Sequence, residues 1–528
     1  MRRAYDIAVF GSGFAGSLMA MIAKRLGHSV VLLERGRHPR MAIGESSTPL
    51  ANLLLEELAV RYDLPAIRPL AKWGSWQRAY PHLACGLKRG FTFYHHELGT
   101  QDTADPDRLR QLLVAASPHD EIADTHWYRA DFDSLLVEQA QAMGVDYLDE
   151  ANIDCFVEGQ DELSFNILRS SETIELRAGF VVDATGPRGL LHRALQLPEG
   201  SFPDYPMTQA LYSHFSGVSK PWVLTDVNGR QQPPYPPEDA AVHHVFDGGW
   251  IWILRFNNGI TSAGVAATEE ASIHLNLREG EPAWWRLIDS IPTLKEQFAT
   301  ARAEMPITFV PQLSFLTGRA CGDRWAMLPS AAGFVDPLLS TGFALTLLGV
   351  GRLAEILDQH WGSASLSLQV ESYAVKTSEE LIATAQLVGS LYANMKNFKV
   401  FKAISLLYFA AASYSETARR LGKPHLAQSF LLQDDPVFGP TCRDILARSR
   451  QLTSENESTL LVEDILRAIE PFDVAGLGKS DLKSWYAVDA EDLLRAAHKV
   501  QSARDEIECL LQRSGFYGDA LARARSEA

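Results

Sequence analysis

Asp6-Ile7-Ala8-Val9-Phe10, Gly11-Ser12-Gly13-Phe14-Ala15-Gly16 and Ser29-Val30-Val31-Leu32-Leu33-Glu34 decide how this chain begins to fold. The first segment is a short apolar run of the kind that forms a buried parallel strand. Glycines follow at once in G-x-G-x-x-G spacing. An apolar-periodic segment to Leu26 then reads as a helix with Gly27 as its C-cap, and residues 29–33 as a second strand ending at Glu34. Strand, glycine loop, helix and strand in this register suit a dinucleotide. Gly11 permits the tight turn, Gly13 lets the backbone approach a pyrophosphate, and Gly16 lets helix and strand pack closely. The helix N-terminus offers N–H groups and a positive dipole end to phosphates. Glu34 stands where it can accept hydrogen bonds from a ribose. The contacts expected from this unit are Gly11, Gly13, Phe14, Ala15, Gly16, Glu34 and Arg35.

The formal net charge of −16 argues against nucleic acid or an anionic membrane surface as partners, since both select basic patches. Cys85, Cys155, Cys321, Cys442 and Cys509 are scattered without metal-ligand spacing, which suits a reducing compartment. Met1-Arg2-Arg3 runs almost directly into the first strand, so a cytoplasmic location is expected. The apolar run from Ala403 to Tyr414 is too short to span a bilayer and reads as a packed helix. His95-His96 and His243-His244 face opposite ways along strands and have no acid cluster beside them, so no metal site is expected.

Further strand and turn signals are spread along the chain. Gly90-Phe91-Thr92-Phe93-Tyr94, Gly144-Val145-Asp146-Tyr147, Phe180-Val181-Val182-Asp183 and Trp325-Ala326-Met327-Leu328 read as strands, and Tyr128 to Asp133 opens a helix. From about residue 365 almost everything has helical spacing. The expected fold is α/β: a Rossmann-like nucleotide-binding domain interleaved with a mainly β substrate domain, then a helical C-terminal region. In residues, 1–350 form the nucleotide domain with substrate segments near 75–125 and 200–310, and 351–528 form the helical region.

Five stretches in fixed order resemble the flavin-dependent halogenases of the flavoprotein monooxygenase superfamily. They are the glycine loop with Glu34; Gly44-Glu45-Ser46 with Pro49; Lys72-Trp73-Gly74; Arg129 with Asp183-Ala184-Thr185-Gly186; and Gly333-Phe334-Val335-Asp336-Pro337-Leu338-Leu339-Ser340-Thr341-Gly342. The resemblance implies FAD, used as FADH2, with Glu45, Ser46, Arg129, Asp183, Gly186, Gly333 and Asp336 among its contacts. It implies a chloride or bromide ion at the Thr341 and Gly342 amides. The last stretch makes sense without the resemblance: Ser340 and Thr341 are good N-cap residues, and the helix after them would aim its dipole at an anion or at reduced flavin.

The resemblance also implies a lysine that receives hypohalous acid and delivers it to the substrate. Lys72 fits that role, lying between Pro69-Leu70-Ala71 and two tryptophans, unusual surroundings for a surface lysine. Trp250 and Trp252 match two family tryptophans held to keep substrate off the flavin. At period two they equally suit the core of a sheet.

Three positions depart from the family. Leu254-Arg255 replaces Ile-Pro after the tryptophans, Ser330 stands where relatives carry an aspartate on the flavin's ribityl chain, and Leu339 where tryptophan halogenases carry a glutamate. An electron-rich phenol or pyrrole that activates itself is the substrate class this favours, free or tethered to a carrier protein. No second dinucleotide unit is evident, so FADH2 is expected from a separate flavin reductase. A non-halogenating FAD-dependent monooxygenase or dehydrogenase and a non-catalytic flavoprotein stay open as alternatives.

Overall fold

The computed structural model describes residues 4–100, 105, 107–159, 162–220, 232–479 and 484–518. Ala4–Phe10 lies at the centre of one sheet, with Val30–Leu33 on one side and Glu172–Asp183 on the other, all parallel. Asp146–Leu148 and Trp325–Met327 extend it, again in parallel. A parallel sheet is covered on both faces and therefore reads as continuous apolar runs. Ile7, Ala8, Val9, Val31, Leu32 and Val181 are accordingly fully buried. Helix Phe14–Arg25 covers the sheet, and Gly27 just beyond it takes the left-handed conformation (φ 94°) that ends the helix.

The second sheet is built from the intervening segments. Its main path runs Arg302–Ala303, Thr208–Ser216, Thr261–Thr268, Gly249–Arg255, Ala241–Phe246, Gly90–His95, Gln111–Ala115 and Trp485–Tyr486, mostly antiparallel. Its two faces serve different cores. Trp250, Trp252 and Leu254 point into the large core shared with the nucleotide sheet and the C-terminal helices. Ile251 and Ile253 point into a smaller one with Phe215, Trp284 and Phe298. Alternation at period two produces this division.

A separate two-stranded ribbon is formed where Cys85–Lys88 pairs antiparallel with Asp124–Trp127, setting Lys88 opposite Asp124. Ser46 bridges to His126 in the same ribbon.

From Thr341 onward long helices dominate, among them Thr341–His360, Leu366–Ala393 and Phe398–Arg420. The last packs aromatic rings on the second sheet, Phe401 against Phe93 (5.8 Å) and Phe409 against Phe91 (5.2 Å). The region is not wholly helical: Trp485–Tyr486 returns as a strand beside Gln111–Ala115. Among the described residues Leu338–His360 is long and apolar enough to cross a membrane, and most of it is buried in this core.

Candidate active site

The glycine loop has the close contacts that its spacing implies. A Cβ on Gly11, whose φ is 91°, would come within 2.6 Å of the Ala184 carbonyl oxygen, and one on Gly16 within 1.9 Å of the Gly11 oxygen. Neither position admits a side chain. A Cβ on Gly13 would stand 3.4 Å from Arg129 Nη2 and 3.7 Å from Arg40 Nη2. Two guanidiniums therefore flank the loop at the start of a twelve-residue helix whose first turn has no side-chain cap. Uncapped amides and paired cations fit the pyrophosphate of FAD. Arg40 was not legible in the sequence.

Glu34 is engaged from several sides. Its Oε2 accepts from Ser12 N (3.1 Å), Ser12 Oγ (3.0 Å) and Arg40 Nη2 (3.1 Å), and its Oε1 from Gly36 N (2.9 Å). Burial alone would raise its pKa, but Arg40, Gly36 and Ser12 outweigh that and hold the carboxyl below its usual range. Phe14 and Ala15 are buried in the first turn of the helix, and Arg35 is exposed at the strand end.

Arg129 joins the loop to two other stretches. Its Nε and Nη2 donate to Asp133 at 2.8 Å each, and its Nη1 donates to the Gly44 carbonyl at 2.9 Å. Its guanidinium lies 5.2 Å from the Phe14 ring and 5.9 Å from the Phe343 ring, which are themselves 4.9 Å apart. The glycine loop, Gly44 and the start of helix Thr341–His360 thus converge on one arginine. At that helix start Leu339 (φ 63°) and Ser340 (φ 54°) are both left-handed, and no side chain caps the first turn. Thr341 is buried, whereas Gly342 is exposed and a Cβ there would meet nothing within 4 Å. Open, uncapped amides at the end of a twenty-residue helix suit an anion.

Three expected flavin contacts have other tasks. Asp183 is fully buried: Oδ1 accepts from Thr185 N and Oγ1, and Oδ2 from Leu191 N. Its carboxylate is consumed in shaping the turn to Gly186, which is left-handed (φ 82°) with open space beside it. Asp336 is likewise inward-facing. Oδ2 accepts from the Tyr205 and Tyr392 hydroxyls at 3.0 and 2.9 Å, and Oδ1 from Leu338 N at 2.9 Å. Gly333 is tucked against a helix, since a Cβ there would lie 2.7 Å from Leu381 Cδ1. Each is a buried, locally satisfied position. Ser330 is half-buried in the short turn Pro329–Ala332.

The lysine against Gly44-Glu45-Ser46 is Lys88, and Lys72 lies elsewhere. Lys88 is fully buried, donates from Nζ to Ser46 Oγ (2.9 Å) and the Ser47 carbonyl, and sits 3.9 Å from the centre of the Phe91 ring. Burial pulls its pKa down to about 7, opposed by the charge of Asp124. Lys72 is half-buried in the field of Glu56, Glu416 and Arg420. Lys88-Arg89-Gly90 has the same K-x-G spacing as Lys72-Trp73-Gly74, so the signal was present twice. Beside Ser46, Glu45 is buried and its Oε1 lies 2.8 Å from His214 Nε2.

The two tryptophans share a face and are core residues, 1% and 6% exposed. Trp250 donates to the Tyr392 hydroxyl, and Trp252 fills the space left by Gly264, where a Cβ would come within 2.4 Å of its ring. Arg255 points to the opposite face. It donates to Glu238, to the Val218 and Ser219 carbonyls and to Gln297 Oε1. Its charge is therefore turned away from the tryptophans. His243 stacks on Phe93 at 4.4 Å and His96 Nε2 lies 2.9 Å from His244 Nδ1. Among the described residues no three His, Cys, Asp or Glu side chains gather as metal ligands would.

The chain also has relatives. It is 27% identical over 422 residues to the tetracycline 7-halogenase of Kitasatospora aureofaciens, a match spanning 78% of this chain and 74% of the relative. It is 25% identical over 457 residues to monodechloroaminopyrrolnitrin halogenase PrnC of Pseudomonas fluorescens, spanning 84% and 78%. The fold superposes on halogenase PltM, solved with phloroglucinol and FAD, with a TM-score of 0.77 and 20% identity, over 91% of this chain and 99% of that one. A family model described as tryptophan halogenase matches residues 124–398, just over half the chain. With that match and the flavin-suited loop, the chain belongs to the tryptophan halogenase family and is an FAD-dependent oxidoreductase.

Proposed function

We propose that this enzyme halogenates an electron-rich aromatic ring, phenol or pyrrole in type, free or tethered to a carrier, using FADH2 from a separate reductase in the cytoplasm. When bound, reduced FAD with oxygen supplies the oxidising equivalent that turns halide into hypohalous acid. Arg40, Arg129 and the glycine loop are the groups suited to the pyrophosphate, and the Thr341 and Gly342 amides are suited to the halide.

The observation that carries the reading is Lys88. It touches Ser46, beside the flavin-suited arginine and loop, and Phe91, which lines an interior cavity. Two of its hydrogens are engaged by Ser46 and Ser47, which leaves one to hold hypohalous acid between the two sides. A buried ammonium with a lowered pKa can also form a haloamine. Lys88 thus takes the role that the sequence suggested for Lys72. Trp250 and Trp252 become positioning residues of the sheet. Arg255, held by Glu238 and Gln297, adds no charge to the tryptophan face of its strand.

The test supplies enzyme, any flavin reductase, oxygen and chloride or bromide to a panel of phenols, pyrroles and indoles. Wild type should give halogenated product. Lys88→Met should retain FAD but lose that product. Hydroxylated product alone from wild type, or undiminished halogenation by the variant, would overturn the proposal.

A further inference from the structure

A cavity of about 200 Å³ lies beyond Lys88, walled in part by Leu50, Phe91, Tyr408 and Phe409, with Lys72 and Asp124 among the polar groups on its lining. Glu416 and Arg420 also reach it, but they pair with each other at 2.8 Å. Asp124 is buried, and the nearby Lys88 charge offsets only part of that burial. It sits opposite Lys88 in the ribbon and is 6% exposed. Asn52 Nδ2 donates to its Oδ1 at 2.9 Å, while Oδ2 is buried without a hydrogen-bond partner. Asn52 Oδ1 beside it is equally unpartnered. Of these two orphaned acceptors, Asp124 belongs to the lining of the cavity, where Phe91, Tyr408 and Phe409 supply aromatic wall and Thr48, Ser117 and Asp489 further polar groups. Buried polar atoms are almost always paired, so a molecule in this space that carries a hydrogen-bond donor has an acceptor to meet at Asp124. A flat ring satisfies the walls, and an O–H or N–H on that ring satisfies the carboxylate.

We infer that Asp124 orients the substrate: its Oδ2 accepts a hydrogen bond from a hydroxyl or N–H on the aromatic ring, and the enzyme selects rings that carry such a donor. This rests on the halogenase reading for what happens next, but the recognition itself does not. Asp124 and Lys88 hold adjacent places on one ribbon, so a ring hydrogen-bonded to the first is presented beside the second. Burial favours the role by making an unpaired carboxylate costly, and it pushes the acid's pKa up against the pull of the Lys88 charge.

Binding separates this inference from the chemistry. FAD-loaded enzyme, without reductant or halide, is titrated with resorcinol and with 1,3-dimethoxybenzene, whose oxygens can only accept. A charge-assisted hydrogen bond should make wild type prefer resorcinol by about tenfold or more. Asp124→Asn should cut that preference to near one by weakening resorcinol alone, with FAD occupancy unchanged. Equal binding of the two rings by wild type, or no measurable binding of either, overturns the inference even if the variant does not fold. So does a variant that weakens both alike, which would make Asp124 only a partner of Lys88. A preference that persists in the variant would reflect the bulk of the methyl groups and would also overturn it. Halogenated product plays no part in the readout, so failure here and failure of the halogenase reading are distinguishable.

Discussion

Trp250 donates its indole N–H to the hydroxyl of Tyr392 at 3.1 Å, and that hydroxyl donates in turn to Asp336 Oδ2 at 2.9 Å. The tryptophan strand, helix Leu366–Ala393 and the turn before Thr341 are thus tied by one buried chain of hydrogen bonds. Burial raises Asp336 to about 6, although Leu338 N–H, Tyr392, Tyr205 and Trp250 all favour its carboxylate. Asp336 therefore reaches the start of helix Thr341–His360 as an anchor, by holding the turn that precedes it.

Tyr392→Phe should cost about 1–3 kcal/mol of stability, since it strands the Trp250 N–H and removes one donor from a buried acid. Urea unfolding measures the loss directly. A variant as stable as wild type would show that the chain of bonds is dispensable.

Gly13→Glu should abolish FAD retention. The new Cβ falls near Arg129 and Arg40, so the added carboxylate would pair with the two guanidiniums in the space a pyrophosphate needs. The flavin absorbance of purified protein reports it. Wild-type occupancy in the variant would remove both the loop and the arginines from the cofactor site.

What the sequence made legible was whatever lies in consecutive residues. Residues 6–34 carry strand, loop, helix and strand together, and the tryptophans at period two had to share a face. What it hid depends on pairings between distant segments. Two K-x-G tripeptides look alike until residues 85–88 pair with 124–127 and set Lys88 beside Ser46. For Asp183 and Asp336 the resemblance implies flavin contacts, and nothing local reveals the partners that hold their carboxylates, Leu191 N–H and the Tyr205 and Tyr392 hydroxyls, which lie 8, 131 and 56 residues away. Arg255 looked like an intruder on the site because nothing local reveals Glu238 and Gln297 waiting on the other face. The strand Trp485–Tyr486 is too short to carry any periodicity of its own.

Acid should destabilise the fold partly through His243. Burial holds this ring at about 3 against an ordinary 6.5, with the nearby Lys88 charge adding to the depression. A depressed pKa means that its contribution is complete above 6.5 and is lost as pH falls toward 3, because only the unfolded chain takes up the proton. Asp336, raised from 3.8 to about 6, runs the opposite way over much of the same range. The difference between wild type and His243→Phe, measured by urea unfolding from pH 7.5 to 4 (about the range where the unfolded histidine titrates), isolates the histidine. The variant should lose less stability on acidification. Parallel curves would mean that His243 takes up its proton equally in the folded and the unfolded chain.

The two lysines should separate kinetically. Lys72 is half-buried, and burial lowers its pKa while Glu56 and Glu416 pull it back. It borders the cavity, whereas the lysine hydrogen-bonded to Ser46 is Lys88. Lys72→Met keeps the stem and removes the charge, and Glu416 keeps Arg420 as its partner. Stability should change by only about 0–1 kcal/mol, as for other partly exposed charges. The turnover number for halogenated product should stay within about twofold of wild type, with the change confined to KM, as expected for a group that touches bound substrate without taking part in the reaction. Lys88→Met should do the reverse. Its removal leaves Asp124 without the charge that opposes its burial, so unfolding and flavin occupancy must be measured alongside turnover. Loss of halogenated product in Lys72→Met with FAD retained, and its survival in Lys88→Met, would return the delivering role to Lys72.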